Sequence, residues 1–336
     1  MSQNKSGKLR SFLRGERAVS TSAPALMLSI FFLLFLSRLL YVLNPSFASA
    51  DGQYLTAALL QLVIFPVPTY IYFRLRGKDN TKLLRTRTSV RALRLSHLFL
   101  LLSTIIVLIA GCTLLAMLCG MMQSQSSFTL YGTFKSSYDG TAAGAIRLIV
   151  AYGILPAVCE ELVFRGILCA EYERYGILYS ALISAIFFAL VHFDIFAFPV
   201  YLFSGLVLAV VMYVTRSVIA TAIVHLGYNL FGIFVQAGLS GYCNSTGSVG
   251  LLVILLIAFL LLGAAFFSGE TARILRGRAK PSMLDSPDVI STPGVNKLRG
   301  KKWLSATAGA FACPAAAACL VIWLAAVVMN ILLAVL

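Results

Sequence analysis

An all-α, polytopic membrane protein is the fold class that this sequence predicts, and three observations carry it. Of the 336 residues, 60% are hydrophobic and only 12% charged, against about 25% charged in an ordinary soluble domain. Apolar runs of membrane-spanning length recur along the whole chain. The basic residues gather on alternate connections between those runs. The runs lie at roughly 24–44, 54–74, 97–118, 146–170, 177–193, 197–214, 217–238, 249–267 and 308–335. Each offers about the 17 to 25 residues that a helix needs to cross a ~30 Å hydrocarbon core. Nine spans are therefore expected, with a bundled core formed by the fourth to the seventh.

Taken in order, residues 1–23 form a basic arm with Lys5, Lys8, Arg10, Arg14 and Arg17. The first run is followed by "SFASAD", an A-x-A-like cleavage pattern. Its length, its internal Arg38 and the long polar arm before it favour a retained anchor over a signal peptide. Within the N-terminal part, 24–145, the linker 75–96 is strongly basic. Leu83, Leu84, Val90 and Leu93 among its cations predict a helix lying on the inner leaflet. The core, 146–238, holds four consecutive spans. An eighth helix lies within 239–267. The segment 268–303, with Pro281, Pro287, Pro293, glycines and charges, reads as a mobile linker. The Ala-rich last helix, 304–336, is set apart by that linker and is expected to be peripheral.

Charge placement fixes an orientation. The arm, the stretch from Arg74 to Arg94, the stretch from Arg273 to Lys302, and the turns at Arg174 and Arg216 put 23 of 27 cations on one face. The opposite connections contain only Lys135, while Arg38, Arg147 and Arg165 lie within spans or at their edges. By the positive-inside rule the N-terminus is cytoplasmic and the C-terminus outside, in a multi-pass cell-membrane protein. The net charge of +15 is thus a topology signal with anionic lipid as a secondary partner. Nucleic acid is excluded. The seven cysteines are scattered without a C-x-x-C pair, so neither a disulfide framework nor a cysteine-based zinc site is expected.

Inside this oily chain the stretch "PAVCEELVFRG" at 156–166 is anomalous, because one ionised residue at a helix centre costs about 2.5–3.5 kcal/mol on insertion scales. Glu161 and Arg165 are four apart and share a helix face, where they can pair. Glu160 points about 100° away from Glu161 and escapes that pair. Pro156 lacks an N–H, which frees a carbonyl one turn earlier and invites a bend or a water. The fifth span ends in "FFALVHFD", with Phe188 and His192 four apart. The seventh contains "HLGYN", with His225 and Asn229 on one face and Gly227 allowing close helix approach.

E-E-x-x-x-R at 160–165, F-x-x-x-H at 188–192 and H-x-x-x-N at 225–229, in that order on three spans, resemble the CPBP family. This family comprises CAAX proteases and bacteriocin-processing enzymes, is also called the Abi family, and includes the type II prenyl-protein endopeptidases. The likeness covers roughly residues 146–238, and no motif position departs from the family pattern. It implies a conical bundle of helices and an intramembrane endopeptidase acting on a membrane-associated peptide or protein. It also implies roles. Glu160 is the expected base that takes a proton from water, and His192 its water-binding partner. His225 and Asn229 are the expected donors to the tetrahedral oxyanion. Glu161 and Arg165 form the structural pair, and Phe188 packs under His192. Two histidines and a glutamate also match a zinc ligand set in type, although no H-E-x-x-H occurs. The cofactor is therefore none or a single divalent metal on Glu160, His192 and His225, with the metal-free form favoured.

Other polar residues have plainer readings. Arg38 snorkels or meets an outside acid. His97 is an interfacial anchor, Asp194 a loop-exposed acid, and Glu171 and Glu173 are solvated at a cytoplasmic helix end. Two competing functions stand beside the protease. One is a proton-coupled transporter, since buried Glu, Arg and His also build relays; the missing internal repeat weighs against it. The other is a non-proteolytic membrane immunity or scaffold protein, a role associated with relatives in the resembled family.

Overall fold

The computed structural model describes residues 23–40, 42–43, 53–75, 97–120, 140–173, 176–279, 311 and 313–335. Among them the chain is helical without strands, in the order α1 (Ala23–Leu40), α2 (Tyr54–Leu75), α3 (Leu98–Leu118), α4 (Ala142–Tyr172), α5 (Ile177–Leu190), α6 (Phe198–Thr215), α7 (Val218–Gln236), α8 (Ala237–Thr246), α9 (Val249–Ala279) and α10 (Pro314–Val335). A helix stands at each of the nine expected spans. Eight are long and apolar enough to cross a membrane, and α5 is not.

The short helix has a physical cause. α5 has 14 residues, about 21 Å at 1.5 Å of rise each. It starts after Gly176 (φ 118°), and the chain turns at Phe193 (φ 54°). Apolar composition continues through Val191 and Phe193, which made the run look like a full span. The Asp194 carboxylate then accepts from the N–H groups of Phe196 and Ala197 at 2.9 and 3.0 Å, so this acid caps the entry to α6 and is only half-exposed.

Lipid tails are as apolar as leucine, so packing rather than water exclusion holds such helices together. Two apolar layers flank the four central helices. One joins Met27, Ile30 and Phe31 of α1 to Phe164 of α4, Phe187 and Phe188 of α5, and Ala316, Cys319 and Ala326 of α10. The other joins Leu101, Leu108 and Cys112 of α3 to Leu208 and Val211 of α6 and Ala220 and Val224 of α7. α9 lies along α3 and turns Leu251, Ile254, Leu261 and Phe266 outward.

Several expectations are corrected here. The last helix lies at the edge as expected, with Val321, Leu324, Val328 and Leu332 facing outward, but it seats one face, Ala316, Cys319 and Ala326, in the largest core layer. Part of the supposed linker from 268 is helical, because α9 continues to Ala279 through good helix formers and a Glu270–Arg273 pair at i, i+3. Helix α8 replaces most of the connection expected at 239–248. Glu171 and Glu173 are buried rather than solvated. Tyr72 donates to Glu171, and Arg216 bridges to Glu173 at 2.7 Å. The basic arm, the leaflet helix expected within 75–96, Lys135, Arg174 and the remainder of 268–303 up to residue 303 lie outside the described residues.

Close approach of α5 and α6 depends on Gly205, where an added Cβ would sit 2.9 Å from Ala185 Cα. Gly205→Ala is expected to destabilise the bundle by about 1–3 kcal/mol, the range for overpacking a filled core. A lowered Tm in detergent checks it; an unchanged Tm would mean that the helices part without cost.

Candidate active site

Helix α4 is irregular where its acids sit. Wide, π-type turns at Ile149–Ile154 and Leu162–Leu168 bracket the α-helical Leu155–Glu161. Pro156 cannot donate, and the neighbouring Leu155 N–H reaches Val150 O, five residues back. Cys169 N–H reaches Phe164 O with the same spacing. Carbonyls along these turns also take donors from neighbouring helices. Ser184 Oγ donates to Phe164 O at 2.8 Å, and Ser180 Oγ donates to Cys169 O at 2.7 Å, backed by Tyr213 O–H. Wide turns of this type often mark functional positions.

Between the two wide turns lies a buried ion network. Arg165 donates from Nη1 to Glu161 Oε1 at 2.7 Å and from Nη2 to Gly205 O at 3.0 Å. Its guanidinium also lies 4.5 Å from the centre of the Phe188 ring. His225 Nδ1 meets the same Glu161 oxygen at 2.9 Å. Both Glu161 and Arg165 are completely buried. The sequence-based pair is thus a triad that ties α4 to α6 and α7, and His225 is part of it.

Glu160 points elsewhere. It is 8% exposed, and its buried Oε2 has no hydrogen-bond partner among the described residues. It lines a cavity of about 280 Å³ together with His192, Tyr201, His225 and Asn229. The four residues expected to act in chemistry therefore face one chamber, contributed by α4, the turn after α5, and α7. A smaller cavity of about 40 Å³, behind it, is shared by Phe188, His192, Ser204, His225, Tyr228 and Asn229. A void of that size holds one water where polar partners surround it.

Each ring is oriented by its neighbours. His192 Nδ1 is 2.7 Å from Phe188 O. A carbonyl only accepts, so Nδ1 carries the proton and Nε2 keeps its lone pair in the neutral ring. Tyr201 stacks on His192 at 3.6 Å between centroids and 17° between planes. Phe188 stands edge-on between the two imidazoles, 5.1 Å from His192 and 5.8 Å from His225. Asn229 Nδ2 reaches Gly153 O at 3.4 Å and retains a second N–H.

The metal alternative fits poorly. Among the described residues no three His, Cys, Asp or Glu side chains group closely enough to hold an ion. We derive no step through a metal.

Tyr201, Arg38 and Asn330 are site neighbours to which sequence reasoning gave no part in the site. Arg38 donates from Nη2 to His192 O at 2.8 Å, and Asn330 Nδ2 donates to Phe193 O at 2.9 Å. A lone cation and a lone amide inside apolar spans are signals in principle. Nothing marks Tyr201 among so many aromatics.

Residues 142–231 match the family model described as type II CAAX prenyl endopeptidase, Rce1-like. The match covers about a quarter of the chain and takes in all three motifs, from α4 to α7. This stretch is therefore similar to type II CAAX prenyl endopeptidases, and it is carried in an all-α polytopic membrane protein. No curated protein and no solved structure matches the chain.

Removing one member of a buried ion pair strands the other, typically at a cost of about 3–5 kcal/mol. Arg165→Met is expected to lose that much and to shrink the monodisperse fraction on size exclusion in detergent. The double variant Glu161→Gln/Arg165→Met should recover much of the loss. Equal behaviour of the single and double variants would refute the pairing.

Proposed function

We propose that the protein is an intramembrane endopeptidase that hydrolyses a peptide bond in a membrane-associated peptide or protein, with Glu160 activating the water. The match of residues 142–231 to the type II CAAX prenyl endopeptidase model supports CAAX-protease-like peptide hydrolysis. One observation carries the finer reading: Glu160 is a buried carboxylate with an unpartnered oxygen, facing a chamber that also presents two imidazoles and an amide.

In this reading the water donates one hydrogen bond to His192 Nε2 and the other to Glu160. As the water oxygen bonds to the scissile carbonyl carbon, Glu160 takes its proton. The carbonyl oxygen becomes an oxyanion, which accepts from Asn229 Nδ2–H and from His225 Nε2–H. The Glu161 contact at His225 Nδ1 orients that ring in the chamber. Glu160 then returns the proton to the leaving nitrogen as the C–N bond breaks. The apolar walls of the chamber exclude bulk water, which strengthens these charge interactions. No metal ion takes part. The basic face, and with it the N-terminus, lies in the cytoplasm.

Glu160→Gln keeps shape and hydrogen bonding but removes the base, and loss of a general base typically costs about 10²–10⁴-fold. Purified protein in liposomes should cleave a membrane-tethered peptide, and the variant should lose turnover by that factor with its Tm unchanged. Equal cleavage by both proteins would overturn the assignment, and cleavage by neither across a broad peptide panel would favour a non-proteolytic role. Dialysis against a strong chelator is expected to leave turnover unchanged, with substoichiometric metal by elemental analysis. Loss of activity restored by added zinc would overturn the metal-free mechanism.

A further inference from the structure

We infer that Arg38 of α1 and Asn330 of α10 are positioning residues for His192: together they clamp the turn that aims its imidazole into the chamber. Neither residue lies in the Rce1-like stretch 142–231.

The turn needs outside help. α5 stops at Leu190, and the last carbonyls of any helix have no partner within it. In a membrane interior water is not on hand to take over. Phe193 moreover adopts φ 54°, a left-handed conformation uncommon for a residue with a Cβ. Both carbonyls of this strained turn are taken by side chains from remote helices. Arg38 Nη2 donates to His192 O at 2.8 Å, and Asn330 Nδ2 donates to Phe193 O at 2.9 Å. The two clamping side chains also meet each other, with Arg38 Nη1 3.5 Å from Asn330 Oδ1. The guanidinium lies 5.1 Å from the centre of the Phe193 ring, and Asp194, two residues beyond His192, acts on it electrostatically. Phe193 in turn packs edge-on against Phe31 of α1, 5.5 Å between centroids.

The backbone of His192 is thereby gripped from the first and last helices while its ring is gripped from the core. Phe188 O fixes Nδ1 and Tyr201 covers one face. Releasing the backbone lets the ring rotate off Phe188 O, which frees the proton to move to Nε2. That tautomer turns the water acceptor into a donor. Arg38 and Asn330 touch no reacting atom, and their effect runs through His192 alone. The catalytic consequence rests on the proposed use of His192 as the partner of the water, whereas the clamp itself does not.

The test therefore reads the ring directly as well as turnover. The chain has three histidines, so a nitrogen spectrum of side-chain-labelled histidine in detergent has three rings to resolve, with His192→Gln assigning one. Wild-type protein should show His192 as a single Nδ1–H tautomer. Arg38→Met should convert it to a mixture and lower kcat by about 10- to 100-fold, the scale of a small misplacement of a reacting group, with KM little changed. Arg38→Lys, which restores one donor, should recover most of both. Asn330→Leu, which leaves the arginine in place, should move the same signal less far, and it carries the test if Arg38→Met does not fold. An unaltered His192 spectrum in folded Arg38→Met and Asn330→Leu overturns the proposal, whatever happens to Tm. If wild-type protein cleaves nothing while the spectrum still depends on Arg38, the protease reading falls and the clamp stands.

Discussion

The arrangement of the core hangs on one buried carboxylate, Glu161, shared between Arg165 and His225. A guanidinium that is fully removed from solvent tolerates burial only when its charge is matched and its donors are filled. Glu161 supplies the charge, Gly205 O takes a donor from α6, and the Phe188 ring lies beneath the cationic plane. One ion network thus sets the mutual placement of α4, α5, α6 and α7. Gly205 serves twice, since its missing Cβ lets α6 approach Ala185 while its carbonyl points at Arg165. A side chain there would disturb both the helix spacing and the arginine.

Backbone irregularity follows the same logic. Wide turns in α4 and the early stop of α5 expose carbonyls in a setting where each must find a donor. Carbonyls at both places are met by side chains from other helices: Ser184, Ser180 and Tyr213 around α4, Arg38 and Asn330 around the turn after α5. Those side chains act as glue between helices as well as caps. The departures from regular helix are therefore where the tertiary structure is most tightly specified.

This explains what the sequence disclosed and what it withheld. Membrane spans are legible because hydrophobic length is a local property, and a helix stands at every expected position. The motif spacings are legible for the same reason: Glu161 and Arg165 are one turn apart, as are Phe188 with His192 and His225 with Asn229. What local reading cannot supply is pairing across the bundle. Arg38 and Asn330 are separated by 292 positions, so neither span signals the other. Glu171 and Glu173 looked solvated because the helix end was visible, whereas Tyr72 and Arg216, which receive them, come from other helices. The early end of α5 was hidden by composition, since Val191 and Phe193 are as apolar as the helix before them. Only the backbone turn separates the two.

Two adjacent glutamates with different fates then make chemical sense. A buried acid is useful in catalysis only if one of its oxygens is free to take a proton, yet a free buried carboxylate is costly and prone to find a partner. Had Glu160 been alone, Arg165 or His225 could have swung to it and locked it. Glu161 occupies both of those partners at a single oxygen, 2.7 and 2.9 Å away, and the rotation of one residue along the helix turns its neighbour toward the chamber. The ion network holds the helices in place and leaves Glu160 Oε2 without a hydrogen-bond partner among the described residues. In the proposed reaction the fixed charge of Glu161 is the condition for the free oxygen of Glu160, and the order of the two acids along α4 decides which is which.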